Sequence, residues 1–404
     1  FKSARVYHLR ILMKHLLLSL SVCFFSTVAV AAYFPDDNWE LSSASQENVN
    51  ETRLQALEDI AFKDPATQAL VVVKNGKIIS ERYAENYNQD SFGTSWSVAK
   101  SFYAALIGIS IEKGEIESLD DPVYKYLSVY KDDERKVITL RNILDMESGL
   151  QYPETQHETM FLNEDQLQYA LNVPLEKKPG SKWEYNNVNS MLLAAILEAA
   201  TGQSADQLLE NRILKPIGIK KSTLWKDGQG NVMTYCCIDM SARDFSRFGL
   251  LFARNGNWNN QSLVPKGFID ETFTTSWRFK APRQGGYSLH WWMAADDENH
   301  EIFFASGKFG QYIFVDRDND VVVTKITKYD PIPGDTQDFK EFKWLKEIGD
   351  TDVTLAVWDF LESSKIMKVG EGGVTSPITK ENGDESTFRK DIYKFIENLA
   401  LLSD

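Results

Sequence analysis

The stretch Thr94-Ser95-Trp96-Ser97-Val98-Ala99-Lys100-Ser101-Phe102 opens an apolar run that continues to Lys113 and stops at Gly114. From Ser97 onward this run is apolar on nearly every side, which predicts a buried helix that ends at the glycine. Ser97 and Lys100 share one face of the first turn. The free N–H groups and positive dipole of a helix start can also stabilise a developing oxyanion. The stretch therefore predicts a serine nucleophile with a lysine as its proton acceptor, on a rigid platform.

The S-x-x-K pattern is weak by itself, because the chain contains it three times. The other two matches are Ser110 to Lys113 and Ser128 to Lys131, and their surroundings favour structural or solvated residues. A helix cap followed by a surface lysine is the competing interpretation of Ser97 and Lys100. Burial would favour the neutral, proton-accepting form of Lys100, which is the form a general base needs.

Tyr185-Asn186-Asn187 provides a second element. It is the only Y-x-N sequence among sixteen tyrosines. We expect Tyr185 to pass a proton between the serine and a leaving group, with its pKa lowered by a neighbouring ammonium. Asn187 could hold the lysine or a substrate carbonyl. An asparagine turn after a core tyrosine is the alternative interpretation.

Other catalytic signatures are missing from the sequence. It has no G-x-S-x-G, H-E-x-x-H, C-x-x-C, P-loop or G-x-G-x-x-G after a strand. His157, His290 and His300 belong to no recognisable motif and are interpreted as structural or surface residues. We expect Cys236 and Cys237 not to pair, because the ring they would close is strained. No metal and no cofactor is therefore expected.

Charge and the N-terminal segment limit the location and the partners. The 404-residue chain has a net charge of −14 and no basic cluster with interleaved aromatics, which excludes nucleic-acid binding. Lys14-His15, an apolar run over 16–30 and Ala29-Val30-Ala31 predict a signal peptide over 1–31, with 1–12 as an upstream extension. The run is too short for a favoured membrane span, although an uncleaved anchor and a lipidated Cys23 are alternatives. We expect a periplasmic or secreted protein without a stable membrane span. The sequence leaves its oligomeric state open.

Hydrophobic patterning predicts the order of the elements. Two β-rich runs around Asn75-Gly76 predict a hairpin over 69–80. Helices are predicted over 189–200, 205–214, 241–254, 353–363 and 388–402, and a loop is predicted over 366–386. Strands are predicted over 287–294, 301–305 and 311–328, and the turn-rich sequence over 316–320 interrupts the last one. The predicted fold class is α/β: an antiparallel sheet flanked by helices and formed from both ends of the chain (about 50–100 and 285–404), with an all-helical insertion (about 115–275).

Five blocks carry a resemblance to a known family. They are Thr94 to Phe102, Leu144-Asp145-Met146-Glu147-Ser148-Gly149-Leu150, Pro179-Gly180 through Asn187, Met240 to Asp244 with Phe248-Gly249-Leu250, and Gly307 to Tyr312. In this order they resemble the serine β-lactamase-related family, which contains class C β-lactamases, D-alanyl-D-alanine carboxypeptidases, esterases and 6-aminohexanoate-dimer hydrolases. The chain is most similar to the last type. The resemblance implies a β-lactamase-like fold, with 32–404 as a single catalytic domain.

The resemblance also implies roles for particular residues. Ser97 matches the acylated nucleophile, Lys100 its proton partner, Tyr185 the proton relay and Asn187 the asparagine near the lysine. The backbone N–H groups of Ser97 and Lys308 match the oxyanion hole. Ala305-Ser306-Gly307 departs from the family, because a Lys-Thr-Gly or His-x-Gly sequence usually lies there. The residues expected to line a substrate pocket are Trp96, Trp291, Trp292, Ser306 and Gly307.

These observations predict an exported serine hydrolase that cleaves a small-molecule amide or ester through an acyl-enzyme. The missing cation at Ala305 removes the natural partner of a β-lactam or peptide carboxylate, so penicillin recognition is not expected. A β-lactamase or D-alanyl-D-alanine carboxypeptidase is the alternative within the enzymes. A catalytically silent ligand-binding protein on the same fold is the alternative from another class.

Overall fold

An antiparallel sheet formed from both ends of the chain organises the protein. The computed structural model describes residues 32–152, 156–161, 163–274, 277–279, 285–295, 301–328 and 387–403. The described residues from Phe34 onward form one structural unit, which contains the sheet. Its strands are β1 (Thr67–Lys74), β2 (Lys77–Tyr83), β8 (Trp277–Phe279), β9 (Gly285–Ser288), β10 (Trp291–Ala295), β11 (Glu301–Gly307), β12 (Gln311–Asp316) and β13 (Val321–Thr327). They run in the order β2-β1-β13-β12-β11-β10-β9-β8, and each neighbouring pair is antiparallel.

Helices cover both faces of this sheet. The described α-helices are α1 (Glu51–Lys63), α2 (Ala99–Glu112), α3 (Leu140–Leu144), α4 (Gln156–Phe161), α5 (Gln166–Asn172), α6 (Asn187–Thr201), α7 (Ala205–Leu209), α8 (Ala242–Ala253), α9 (Lys266–Thr272) and α10 (Thr387–Ala400). On one face α1 and α10 pack together, and Leu57 and Phe395 share a buried cluster with Val72 of β1. On the other face α8 packs on β12 and β13. This arrangement confirms the predicted fold class.

The middle of the chain is mostly helical, but it is not all-helical as predicted. It contains the short strands β4 (Thr223–Leu224), β5 (Ile238–Ser241), β6 (Asn257–Trp258) and β7 (Gln261–Ser262). β5 lies between β4 and β3 (Phe92–Thr94) in a small three-stranded sheet. Such short strands lack the repeated alternation that makes longer strands visible in a sequence. None of the described helices is long and apolar enough to cross a membrane.

Turn residues account for the boundaries that were predicted best. Asn75 and Gly76 adopt positive φ angles of 53° and 80° between β1 and β2, as a tight hairpin requires. Gly114 and Gly202 follow α2 and α6 with φ of 71° each, which is the left-handed conformation typical of a helix end. The predicted interruption of the 311–328 run is the turn between β12 and β13.

Three predicted segments differ from the structure or fall outside it. The single strand expected over 287–294 is two strands, β9 and β10, joined by Leu289 and His290 with φ of 43° and 65°. Positive φ is unusual for such residues, so their types gave no turn signal. The predicted helix over 353–363 and loop over 366–386 lie outside the described residues, whereas the last predicted helix is α10.

Candidate active site

Ser97 lies in a 3-10 turn, Trp96–Val98, between β3 and α2. Two hydrogen bonds fix the residue before this turn to β5. The Ser95 N–H donates to the Ile238 carbonyl at 2.8 Å, and the Ile238 N–H donates to Ser95 Oγ at 2.8 Å. Trp96 adopts a φ of 45°, a conformation that a bulky residue keeps only where its surroundings enforce it. The structure thus holds the serine at the start of a buried helix.

Lys100 lies beside this serine. Its Nζ is 2.9 Å from Ser97 Oγ and donates to the backbone carbonyl of Tyr235 at 2.7 Å. The residue is only 1% exposed, and no carboxylate balances its charge in an ion pair among the described residues. Burial lowers the pKa of the Lys100 ammonium well below its usual value, which is the predicted direction. A neutral amine within hydrogen-bonding distance of a serine hydroxyl can accept its proton.

The other two S-x-x-K matches have no such geometry. Ser110 is buried and accepts a hydrogen bond from Arg212 at 3.2 Å, whereas Lys113 is exposed at the end of α2. Ser128 and Lys131 are both exposed. Of the three matches, all of which the structure describes, the pair at 97 and 100 is the one joined by a hydrogen bond.

Tyr185 reaches the same point from the loop before α6. Its side chain and Ser97 line the same cavity, and its ring centroid is 5.0 Å from Lys100 Nζ. The ring stacks on Trp292 with centroids 5.7 Å apart. Burial raises the pKa of Tyr185, so the prediction that an ammonium lowers it was wrong. A neutral Lys100 supplies no positive charge, and burial disfavours the phenolate. Tyr185 is therefore a protonated phenol at neutral pH.

Asn187 begins α6 and lines the same cavity as Ser97. The side chain of Asn186 caps the helix by accepting from the Val188 N–H at 2.9 Å. The second hydrogen-bond partner of the Lys100 amine is the carbonyl of Tyr235, a role that the sequence suggested for Asn187. Sequence reasoning missed Tyr235, because a backbone acceptor leaves no signature in residue types.

The end of β11 is pressed against the serine segment. A Cβ atom on Gly307 would lie 2.3 Å from the carbonyl oxygen of Ser95, so only glycine fits without a backbone shift. Lys308 follows directly and lines the cavity beside Ser306 and Gly307. An oxyanion hole formed by the N–H groups of Ser97 and Lys308 stays a prediction.

A cavity of about 580 Å³ opens over Ser97. Trp96 and Trp292 line it, but Trp291 does not, so the assignment of Trp291 to the pocket was wrong. Successive strand residues point to opposite faces, and the ring of Trp291 lies against Phe252 on the α8 side, with centroids 4.6 Å apart. Sequence reasoning missed other residues that line the cavity. They come from several parts of the chain: Phe161, Tyr235, Cys236, Phe304, Tyr312, Arg389, Ile392, Tyr393 and Ile396.

His290 is a buried structural residue, as predicted. Its Nε2 lies 3.0 Å from Ser190 Oγ, and its Nδ1 lies 3.3 Å from the Tyr287 hydroxyl. Burial lowers the pKa of His290 to about 3. The side chains of His157 and His300 lie outside the described residues. In the described ranges, no group of three or more His, Cys, Asp or Glu residues is arranged to hold a metal ion.

Cys236 and Cys237 form a disulfide, so the prediction that they would not pair was wrong. The chain accommodates the small ring with Cys237 at a φ of 114°. The Cys236 N–H donates to the Met233 carbonyl, and the Cys237 carbonyl accepts from the Trp225 N–H, both at 3.1 Å. These bonds hold the backbone on both sides of the disulfide, next to the cavity.

Comparisons with known proteins agree with this architecture. The chain is similar to the "Putative penicillin-binding protein PbpX" of Bacillus subtilis (strain 168), with 29% identity over 179 residues, 42% of this chain and 43% of the relative. Its fold is similar to that of the "Putative 6-aminohexanoate-dimer hydrolase from Bacillus anthracis" (TM-score 0.62, 22% identity, 81% of this chain and 88% of that one). A second similar structure is "EstCE1, a hydrolase with promiscuous acyltransferase activity" (TM-score 0.59, 15% identity, 70% and 94%).

The extent of these matches determines what they establish. The chain spans about half the length of the curated relatives it matches. The two similar structures share only 22% and 15% sequence identity with this chain, so they establish the fold alone. A family model described as Beta-lactamase, in contrast, matches residues 64–341, which is more than half of the chain and includes Ser97, Lys100 and Tyr185. The chain therefore belongs to the beta-lactamase family.

Proposed function

We propose that this protein is an exported serine hydrolase that cleaves an amide or ester bond through an acyl-enzyme on Ser97. The observation that carries the proposal is the buried Lys100 amine, 2.9 Å from Ser97 Oγ. A lysine at 1% exposure, with no carboxylate partner among the described residues, is costly when it is charged. An arrangement that keeps this amine neutral beside a hydroxyl favours proton transfer over a purely structural role.

The reaction follows from these contacts. Ser97 Oγ attacks the substrate carbonyl carbon while its proton passes to the neutral amine of Lys100. Tyr185, a protonated phenol that lines the same cavity as Ser97, gives its proton to the leaving nitrogen or oxygen and regains one from Lys100. Water then attacks the acyl carbonyl carbon, and the same groups carry a proton from this water to Ser97 Oγ as the acyl bond breaks. The N–H groups of Ser97 and Lys308 stabilise the oxyanion in both halves.

The cavity favours an uncharged acyl group. Aromatic and aliphatic side chains from separated elements line it: Trp96, Phe161, Trp292, Phe304, Ile392 and Ile396. Ala305 replaces the cation that its family usually has at this strand. We therefore expect short esters and linear amides as substrates, similar to those of esterases and 6-aminohexanoate-dimer hydrolases. The apolar run and Ala29-Val30-Ala31 near the N-terminus support export.

A β-lactamase or D-alanyl-D-alanine carboxypeptidase is the second candidate. The observation that favours it is the presence of two cationic residues, Lys308 and Arg389, in the lining of the cavity. A substrate carboxylate gains more from such a group than from a neutral donor, because a charge-assisted bond contributes roughly 1.5–3 kcal/mol. The choice between the two candidate functions therefore depends on whether Lys308 or Arg389 binds a carboxylate of the substrate.

A fluorophosphonate probe tests the proposal, because it reacts covalently with an activated serine. We expect one adduct, located on Ser97 by mass spectrometry of peptides. Ser97→Ala should not react, whereas Ser128→Ala, the matched control from an exposed S-x-x-K pair, should react like the unmodified protein. An adduct on another serine, or equal labelling of Ser97→Ala, contradicts the assignment. A folded protein that reacts with no probe supports the silent ligand-binding alternative.

A further inference from the structure

The disulfide between Cys236 and Cys237 follows directly after the residue whose carbonyl binds Lys100. Tyr235 accepts from the Lys100 amine at 2.7 Å, and the disulfide occupies the next two positions. Both cysteines are buried, with 3% and 1% of their surfaces exposed, and Cys236 lines the cavity over Ser97. The disulfide therefore lies next to the proposed reacting groups.

The same short segment is tied to the nucleophile from its other side. The residue after the disulfide, Ile238, exchanges two hydrogen bonds with Ser95, each of 2.8 Å. Before the disulfide, the hydroxyl of Tyr235 donates to Gln166 Oε1 at 2.7 Å. Residues 235–238 thus bridge the Lys100 amine and the serine turn. A change in their backbone would move an acceptor of the base relative to Ser97.

The hydrogen bond to the Tyr235 carbonyl orients the Lys100 amine. A neutral amine has one lone pair, and it must point at the serine hydroxyl to accept a proton. Donating an N–H to a fixed carbonyl limits rotation of the amine, because the remaining hydrogen-bond partner in the described part of the chain is Ser97 Oγ. We propose that the Cys236–Cys237 disulfide is a positioning element of the active site, which holds the Tyr235 carbonyl so that the Lys100 amine faces Ser97.

Reduction would undo this arrangement. A dithiol breaks the sulfur–sulfur bond, and two electrons and two protons convert the cysteines to two thiols while the reductant closes to a cyclic disulfide. Sulfur atoms that are no longer bonded need a separation of roughly 3.5–4 Å, the range of non-bonded contacts. The close-packed surroundings offer little room, so the backbone has to shift. Cys237, at a φ of 114°, has a less crowded conformation to relax into.

The test compares the oxidised and reduced forms of the same protein. This inference rests on the proposed hydrolase function, so turnover of a neutral p-nitrophenyl ester is the first measurement. After treatment with dithiothreitol, with the thiol state of the 236–237 peptide followed by alkylation and mass spectrometry, kcat should fall roughly 10- to 100-fold. KM should change less than about twofold, because the lining residues other than Tyr235 and Cys236 stay in place. Oxidised glutathione should restore kcat.

A variant without the disulfide provides the control. The double substitution Cys236→Ala with Cys237→Ala should have the low kcat of the reduced protein and should not respond to dithiothreitol. Unchanged kcat in fully reduced protein, or a loss that arises from KM alone, overturns the positioning role. If the double variant does not fold, the kcat values of the oxidised and reduced unmodified protein still test the positioning role.

Hydrogen exchange gives a readout that needs no turnover. The amides of Ser95 and Ile238 should exchange faster on reduction, whereas those of α1, on the opposite face of the sheet, should not change. If the oxidised protein hydrolyses no ester, the proposed function fails, and faster exchange at Ser95 and Ile238 still supports the structural role of the disulfide. Equal exchange in both forms overturns it.

Discussion

Gly307 packs directly against the backbone carbonyl of Ser95, two residues before the proposed nucleophile. A Cβ atom at position 307 would lie 2.3 Å from that oxygen, which is closer than real Cβ contacts come. The end of β11 and the serine turn are therefore in backbone contact, and the residue that follows the strand, Lys308, lines the cavity. This contact couples the sheet to the start of α2.

Gly307→Ala should reduce both stability and turnover, because one of the two backbones must move. We expect a loss of about 1–3 kcal/mol in the free energy of unfolding, the cost of overpacking a buried site. Urea unfolding and ester hydrolysis measure the two effects. Gly267→Ala is the matched control, because a Cβ there meets nothing within 4 Å in α9 and alanine favours a helix. Equal behaviour of the two variants would contradict the close contact.

Lys100 and Tyr185 should act as one proton path. Lys100→Met and Tyr185→Phe should each lower kcat roughly a hundredfold or more, the size of a general-base contribution. The double variant should lose much less than the product of the single losses, because either substitution already interrupts the path. Tyr103→Phe, which alters a buried tyrosine of α2 outside the cavity lining, should change kcat by less than about twofold. Multiplicative losses would mean that the two residues act independently.

His290 should make the folded state sensitive to acid. The pKa of His290 is about 3 in the folded protein, below the usual 6.5, so the unfolded chain binds a proton that the folded chain excludes. The stability from this group is therefore complete above pH 6.5 and is lost as the pH falls toward 3. His290→Asn should remove up to about 1.4 kcal/mol per pH unit from the slope of unfolding free energy against pH. Asparagine tolerates the φ of 65° at this position.

The comparison between pH 4 and pH 6 isolates this residue, because the carboxylates that also titrate there are common to both proteins. Urea unfolding at each pH provides the free energies. A variant with the slope of the unmodified protein would show that His290 does not carry the acid sensitivity.

Neutral esters should be better substrates than β-lactams. We expect a higher kcat/KM for a short-chain p-nitrophenyl ester than for nitrocefin, because Ala305 provides no cation for the β-lactam carboxylate. Arg389→Ala should leave ester hydrolysis nearly unchanged. Lys390→Ala, a neighbour on α10 outside the cavity lining, is the control. A preference for nitrocefin that Arg389→Ala abolishes and Lys390→Ala retains would support the β-lactamase candidate instead.

Local sequence patterns correctly predicted the features that depend on residues close together in the sequence. Asn75 and Gly76 supplied the turn conformation themselves, and the spacing of Ser97 and Lys100 placed both on one face of the helix start. Trp291 and Trp292 show the limit of such patterns. Alternation along a strand predicts that their side chains point to opposite faces of the sheet. Which of these faces borders the cavity depends on which helices cover the sheet.

Long-range contacts could not be predicted in the same way. The residues of α10 reach the cavity only because that helix packs against α1 at the other end of the chain. Tyr235 acts through its backbone carbonyl, which every residue type possesses. The pairing of Cys236 with Cys237 depends on a positive φ that the surrounding hydrogen bonds stabilise, and ring strain alone does not reveal those bonds.

The most direct test of the central claim is to trap the acyl-enzyme. Protein that is turning over a p-nitrophenyl ester is quenched in acid, digested, and measured by mass spectrometry. We expect a mass increase equal to that of the acyl group, on the peptide that contains Ser97 and on that residue. An acyl group on another residue, or release of p-nitrophenol by Ser97→Ala at the rate of the unmodified protein, would contradict it.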